Sequence, residues 1–255
     1  MYSEIVESLS RCRKCVMLTG AGISAESGVP TFRSADGLWS KFKPEELATM
    51  AAFIANPKMV WEWYNWRREL IATVKPNAGH IAIAELSTLL PHFTLVTQNV
   101  DGLHALAGSR DIVELHGNIN RSICSDCGLL VPEDCHIDPA AIPACTACGG
   151  KIRPDVVWFG EMLDPNIIDT AFRVAERCDL FLSVGTSALV HPAATLPVVA
   201  KRHGATLIEI NLEPTPLSAM ADISVQGKSG DVLPAVVESL KRHPRPRQTG
   251  EPRQS

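Results

Sequence analysis

Long apolar runs are missing from this chain. Nowhere do about 18 apolar residues follow one another, so a transmembrane helix is not expected. Met1-Tyr2-Ser3-Glu4 leads into an amphipathic helical pattern without the charged start, apolar middle and small-residue cleavage site of a signal peptide. A cytoplasmic protein is therefore expected. Neither sign of charge dominates: the formal net charge of −4 and pI near 6.1 give no general pull toward nucleic acid or membrane. Cysteine is too sparse for a disulfide scaffold, with eight in 255 residues, and in a reducing compartment clustered cysteines point to metal or catalysis instead. Useful internal repeats are absent. The stretch from His243 to Ser255 is nearly devoid of apolar residues and is predicted to be a disordered tail. What remains, 45% hydrophobic and 20% charged, suits a soluble protein of one large domain with a small second module.

Short apolar runs recur at Cys15–Thr19, Phe93–Thr97, Ile112–Leu115, Leu180–Val184, Thr206–Ile210 and Ile223–Val225. Each has strand length and ends in a polar or glycine turn. Helical patterns lie between them, at Asn77–Leu90, Pro165–Arg177, Pro192–Arg202 and Asp231–Arg242. Buried strands alternating with helices predict an α/β fold with a Rossmann-like parallel sheet covered on both faces. Ligands in such folds bind at the carboxyl ends of the strands. Two stretches interrupt the alternation. Residues 41–75 read as helices carrying Trp61, Trp63, Tyr64 and Trp66. Residues 119–156 are poor in large apolar groups and rich in Cys, Gly, Pro and Asp; such a segment needs a staple other than its own core.

The staple is legible in the spacing. Cys124-x2-Cys127 and Cys145-x2-Cys148 form two knuckles that can place four thiolates around one zinc ion. With four protein ligands no position is left for water, so the expected zinc is structural. Cys135 is not needed for it, and Cys12, Cys15 and Cys178 read as interior residues. A zinc ribbon can also recruit nucleic acid, but that requires clustered Lys and Arg. Ser122–Gly150 offers few of these beside Asp126, Glu133, Asp134 and Asp138, and no specific nucleic-acid partner is expected.

Directly after the first strand run stands Gly20-Ala21-Gly22-Ile23-Ser24-Ala25, a loop whose glycines permit a tight turn and close approach to a pyrophosphate, with Ala25 as the allowed third residue. The acidic residue that a dehydrogenase places about twenty positions on is missing, since Lys41-Phe42-Lys43 is no strand end. An ordinary dehydrogenase fits poorly.

The loop continues as Glu26-Ser27-Gly28-Val29-Pro30-Thr31-Phe32-Arg33, and Gly20–Arg33 resembles the sirtuin signature almost letter for letter. Further blocks similar to that family follow in order: Thr97–His104, Glu114-Leu115-His116-Gly117, Pro154–Glu161 and Gly185-Thr186-Ser187. The resemblance covers roughly residues 10–240. It implies a catalytic domain over 1–242, with a helical insert at about 41–75 and a zinc module at about 119–156. It also implies NAD-dependent removal of acyl groups from lysine in proteins or peptides, yielding nicotinamide and O-acyl-ADP-ribose. In that reaction the acyl oxygen attacks the anomeric carbon of the nicotinamide ribose, and a histidine then removes a proton through the ribose hydroxyls. His116, at a strand end, matches that histidine, and neutral imidazole suits a base near pH 7. His104 is read as structural or supporting.

By the same resemblance Gln98 and Asn99 orient the nicotinamide ribose, Asp101 accepts from the nicotinamide amide, and Phe32 shields the reacting face. Gly20, Ala21, Gly22, Ala25 and Arg33 belong to the cofactor loop. Gly185, Thr186 and Ser187 match phosphate and ribose contacts, and Asn211, Leu212, Glu213 and Ser229 match the adenosine end. Val157 and Phe159 fall in the substrate-binding block. Tyr64 and Arg67, three apart on a helical pattern, can share one face. On their own they could simply meet solvent, but Tyr64-x2-Arg67 resembles the pair that marks the acidic-acyl branch of the family, and Ala48 resembles the small residue of its acyl pocket. A guanidinium and a phenol can hold a succinyl or malonyl carboxylate. Two other readings stay open: a deacetylase, and an ADP-ribosyltransferase using the same NAD cleavage.

Overall fold

The apolar runs of the sequence become the strands of a six-stranded sheet, which organises the larger part of the chain. The computed structural model describes residues 2–31, 43–132 and 137–242. In chain order, α1 (Ser3–Arg11) precedes β1 (Lys14–Thr19) and the short α2 (Ala21–Ala25). Three helices follow, α3 (Pro44–Leu47), α4 (Met50–Ala55) and α5 (Pro57–Ala72), then α6 (Ala78–Leu89) and β2 (His92–Thr97). After α7 (Leu103–Leu106) and β3 (Val113–Glu114) come β4 (Gly117–Cys124), β5 (Leu130–Val131) and β6 (Ile152–Val156). The chain closes with α8 (Pro165–Arg177), β7 (Leu180–Val184), a 3-10 turn (Ala193–Thr195), α9 (Leu196–Arg202), β8 (Thr206–Asn211), β9 (Ile223–Gln226) and α10 (Ser229–Arg242). The large sheet runs β3-β2-β1-β7-β8-β9, with every pairing parallel. This is a Rossmann-type doubly wound order, in which the chain reverses direction across the sheet between β1 and β7.

Strand alternation builds two cores from one sheet. Cys15 and Met17 of β1, with Leu182 and Val184 of β7, face α1, α6 and α10. Val16 and Leu18, with Phe181 and Leu207, face α8 and α9. Local signals set the helix starts: Asn77 caps α6 by accepting from Gly79 and His80, and Asp164 caps α8 ahead of a proline at its first turn. The strand expected at Ile112–Leu115 is shorter, Val113–Glu114, because the backbone turns immediately afterwards to deliver His116.

The two interrupting stretches fold together. Helices α3–α5 and a three-stranded antiparallel sheet, β5-β4-β6, share one core that includes Leu47, Phe53, Trp61, Tyr64, Ile119, Cys124, Ile152 and Trp158. Arg68 fastens the two pieces, with Nε donating to the Ile119 carbonyl at 2.6 Å and Nη2 to the Arg121 carbonyl at 2.8 Å. Trp61 Nε1 donates to the Ile152 carbonyl at 3.0 Å. The segment expected to lack a core of its own thus has half of one, and the helical stretch supplies the rest. Among the described residues no helix is long and apolar enough to cross a membrane.

Candidate active site

A cavity of about 910 Å³ opens between the large sheet and the smaller region. Its floor lies at the β1/β7 reversal. There the Gly22 N–H donates to the Gly185 carbonyl at 2.8 Å, and a Cβ on Gly22 would stand only 2.7 Å from that oxygen. Gly185 itself has φ +59 and would press a Cβ to within 2.5 Å of the Ile23 nitrogen. Two loops can interlock this tightly only as glycines. The result is a crevice walled by backbone at the topological position where such folds bind nucleotides.

The β2 end adds polar groups. Asn99 Nδ2 donates to the Gly20 carbonyl at 3.0 Å and to Ser24 Oγ at 3.1 Å, which fixes the amide and leaves Oδ1 as an acceptor. Gln98 Nε2 donates to Thr186 Oγ1 at 3.0 Å, linking the two halves of the sheet across the crevice. His116 Nδ1 lies 2.9 Å from the Gln98 carbonyl. A carbonyl only accepts, so Nδ1 carries the hydrogen and Nε2 keeps the lone pair. Burial lowers the His116 pKa below the ordinary imidazole value, opposed by that same backbone bond. The neutral base is therefore the prevailing form at pH 7.

Beside His116, Gly117 (φ +80) passes so close to β6 that a Cβ would overlap the Asp155 carbonyl. The next segment is threaded between the two regions: the Val157 N–H donates to the His116 carbonyl at 3.0 Å, and the Phe159 N–H to the Ala48 carbonyl at 2.9 Å. Tyr64 and Arg67 stand in the same wall, 1% and 5% exposed, with the guanidinium 4.9 Å from the Trp63 ring centre and 5.7 Å from that of Tyr64. Burial lowers the Arg67 pKa while Tyr64 and Asp101 act to raise it. Asp101 is pushed upward by burial, against the Leu103 N–H it accepts at 2.9 Å and the nearby Arg67 charge. Arginine stays charged under such shifts.

Sequence comparison bears on this constellation directly. The Sir2 family profile matches residues 20–192. A relative from Pyrobaculum aerophilum, described as NAD-dependent protein deacylase 2, is 50% identical over 244 residues, covering 96% of this chain and 98% of its own. The chain belongs to the Sir2 family. Two solved structures agree. A Sir2 homolog–NAD complex superposes with a TM-score of 0.88 at 45% identity, covering 95% of each chain. A Sir2 complex with a p53 peptide and NAD gives 0.84 at 31% identity, covering 95% of this chain and 99% of that one.

In this Sir2-family chain the cavity wall brings together Gly20, Ala21, Gly22, Ala48, Tyr64, Arg67, Gln98, Asn99, His116, Val157, Phe159, Gly185, Thr186, Ser187, Asn211, Leu212 and Glu213. Ala25, Asp101 and Ser229 are not among its lining residues. Ser229 Oγ donates to Glu26 Oε1 at 2.6 Å and thereby ties α10 to the loop after α2. Phe32 and Arg33 lie outside the described residues, as does Cys135. His104 is interior, with Nε2 2.9 Å from Thr19 Oγ1 and its ring 4.8 Å from that of His80. Sequence reasoning did not single out Trp158, Thr31, Met162 or the Val190–Pro192 edge, all of which line the cavity. For Trp158 a signal existed, since it sits inside the Pro154–Glu161 block.

The four knuckle sulfurs converge within the smaller region, all within 4.8 Å of one another. Cys124 Sγ lies 3.4 Å from Cys148 Sγ, and Cys127 Sγ 3.7 Å from Cys145 Sγ. Disulfides need about 2.05 Å, whereas sulfurs around tetrahedral zinc at about 2.3 Å stand roughly 3.8 Å apart. The four-cysteine cluster fits a structural zinc site.

Proposed function

We propose that this chain removes acidic acyl groups, succinyl or malonyl, from lysine side chains of proteins or peptides. It does so within the NAD-dependent protein deacylase activity of its family. The observation that carries the acidic-acyl reading is the burial of Tyr64 and Arg67, beside Ala48, in the wall of the cavity that also holds His116. Arg67 stays charged in that wall, and a carboxylate arriving in the cavity can accept two parallel bonds from its guanidinium. Ala48 leaves the volume for a longer acyl chain.

The glycine floor and the Gln98–Thr186 bridge suit NAD: Gly20–Gly22 and Gly185–Ser187 would hold its pyrophosphate and ribose, and Asn211–Glu213 its adenosine end. NAD supplies the carbon that receives the acyl oxygen. The protein's own contribution is positional and basic. Asn99 Oδ1 is left to accept from a ribose hydroxyl, and His116 Nε2, unprotonated, can take the proton that a hydroxyl must lose. The Val157–Phe159 segment, clamped to both His116 and Ala48, supports a role in guiding the acyl-lysine between the two regions.

Incubation of one peptide in succinyl-, malonyl- and acetyl-lysine forms with NAD, followed by mass spectrometry, tests the reading. The expected result is faster loss of the acidic groups and their appearance on ADP-ribose. Faster deacetylation would make the protein a deacetylase, and labelled ADP-ribose on protein would make it a transferase.

A further inference from the structure

The Tyr64 hydroxyl reaches a single partner among the described residues, the Trp158 indole, whose Nε1 lies 2.9 Å away. An indole N–H can only donate, so the phenol oxygen must accept. Its own proton then points elsewhere, and no described residue accepts it. Burial pushes the Tyr64 pKa up, which keeps the phenol protonated.

We infer that Trp158 is a positioning residue for acyl-group choice: it occupies the Tyr64 oxygen as an acceptor and so fixes that hydroxyl as a donor toward the cavity. The inference rests on the acidic-acyl reading above. Beside Arg67, whose guanidinium can only donate, a fixed donor makes this end of the cavity complementary to a group that only accepts, namely an ionised carboxylate.

The indole is well placed for such a task because it is locked from several sides. Its backbone N–H donates to Glu161 Oε2 at 2.8 Å. Glu161 in turn takes a two-armed ion pair from Arg153, whose Nη2 lies 2.9 Å from Oε2 and whose Nη1 meets Oε1. The Arg153 guanidinium lies over the Trp158 ring, 3.5 Å from its centre, and the Phe53 ring tilts against it at 5.3 Å. Groups held this way before substrate arrives lose little freedom on binding.

The test measures kcat and KM for succinyl- and acetyl-lysine forms of one peptide on wild type, Trp158→Phe, Tyr64→Phe and the double variant. Each single change should lower the succinyl-to-acetyl ratio of kcat/KM by about tenfold, mainly through KM for the succinyl peptide. The double variant should lose no more than Tyr64→Phe alone, because Trp158 acts through that hydroxyl. Additive losses, or a wild-type ratio in Trp158→Phe while Tyr64→Phe falls, would overturn the inference and leave the acyl reading standing. A wild type without acidic-acyl preference overturns the reading beneath it. Should Trp158→Phe fail to fold, indole N–H resonances of wild type and Tyr64→Phe decide the matter. One should move upfield when the phenol oxygen is removed, and five unmoved tryptophan signals would sink the idea.

Discussion

The two regions of this protein hold themselves together by different means. The large region needs nothing but its sequence: β1, β7 and β8 are buried on both faces, and their alternating side chains feed two apolar cores. The small region has one core, and two segments far apart in the chain contribute to it. Its sheet is three strands, one of them only Leu130–Val131, and its outer end is a loop structure gathered around four sulfurs. The four-cysteine cluster fits a metal that would finish this outer end, a kind of staple the doubly wound sheet does without among the described residues. The cavity lies on the seam, where backbone and amides of the large region face Tyr64, Arg67 and Ala48 of the small one.

The largest expected effect breaks one region and spares the other. Structural zinc contributes about 10–16 kcal/mol in small zinc domains. Cys145→Ser, or chelation, should therefore release the metal and abolish amide protection in β4 and β6 while β1, β7 and β8 stay protected. Hydrogen exchange followed by mass spectrometry reads both regions at once; uniform loss, or no loss, would erase the distinction. Next comes the residue at the joint. His116→Ala should lower turnover by about 10²–10⁴-fold with the fold intact, the usual range for a lost general base. Because burial depresses the His116 pKa, the acid limb of the wild-type kcat/KM profile should fall below the ordinary histidine value of about 6.5.

On the small region's side of the seam, Arg67→Met should cut desuccinylation by at least about tenfold more than deacetylation, the loss expected for a charged hydrogen-bonding partner. Equal losses on both peptides would instead make Arg67 a structural cation. The last effect is on stability rather than on rate, and it belongs to the large region alone. His80 and His104 are held neutral by burial, with pKa values lowered to about 4 and about 3. The unfolded chain binds protons on both below about 6.5 and the folded chain does not. Stability should therefore fall as pH drops from about 6.5 toward those values, by at most about 1.4 kcal/mol per pH unit per histidine. Denaturant midpoints measured across that window check the slope, which His104→Gln should reduce.

The sequence spelled out the large region well because its signals are local. Helix α8 follows from Asp164, Pro165 and an amphipathic face, and each strand of the large sheet stands as an apolar run ending in a turn, β3 alone being shorter than its run. The site legible from sequence was the part fixed by consecutive residues: the glycine loops, His116 at its strand end and the cysteine spacing. The small region's sheet was not legible. Strand β4, Gly117–Cys124, buries only alternate or scattered residues and carries a bulge, and β6 contains Pro154, which a strand tolerates because β6 is an edge of its sheet. Its core also escaped notice, since neither segment shows more than half of it. The Trp158–Tyr64 bond joins residues 94 apart, a distance that no local pattern encodes.

The parallel arrangement of the sheet carries a cost in time. Strand β1 is central, yet both its neighbours come much later in the chain: Thr19 meets Thr97 across 78 residues, and Lys14 meets Asp179 across 165. Closing such loops makes β1 pairing a late event in folding. At synthesis rates of about 5–20 residues per second, β1 waits on the order of ten seconds for β7 to be made. Until β2 is made Cys15–Leu18 has no strand to pair with, and its β7 edge stays open for the whole interval. Arg13 and Lys14 stand at its head, both exposed in the finished protein while their backbone N–H groups are held by Asp179 at 2.8 and 3.0 Å. Before Asp179 exists, the same two charges already flank this apolar stretch, the placement by which charged residues oppose aggregation of exposed strands.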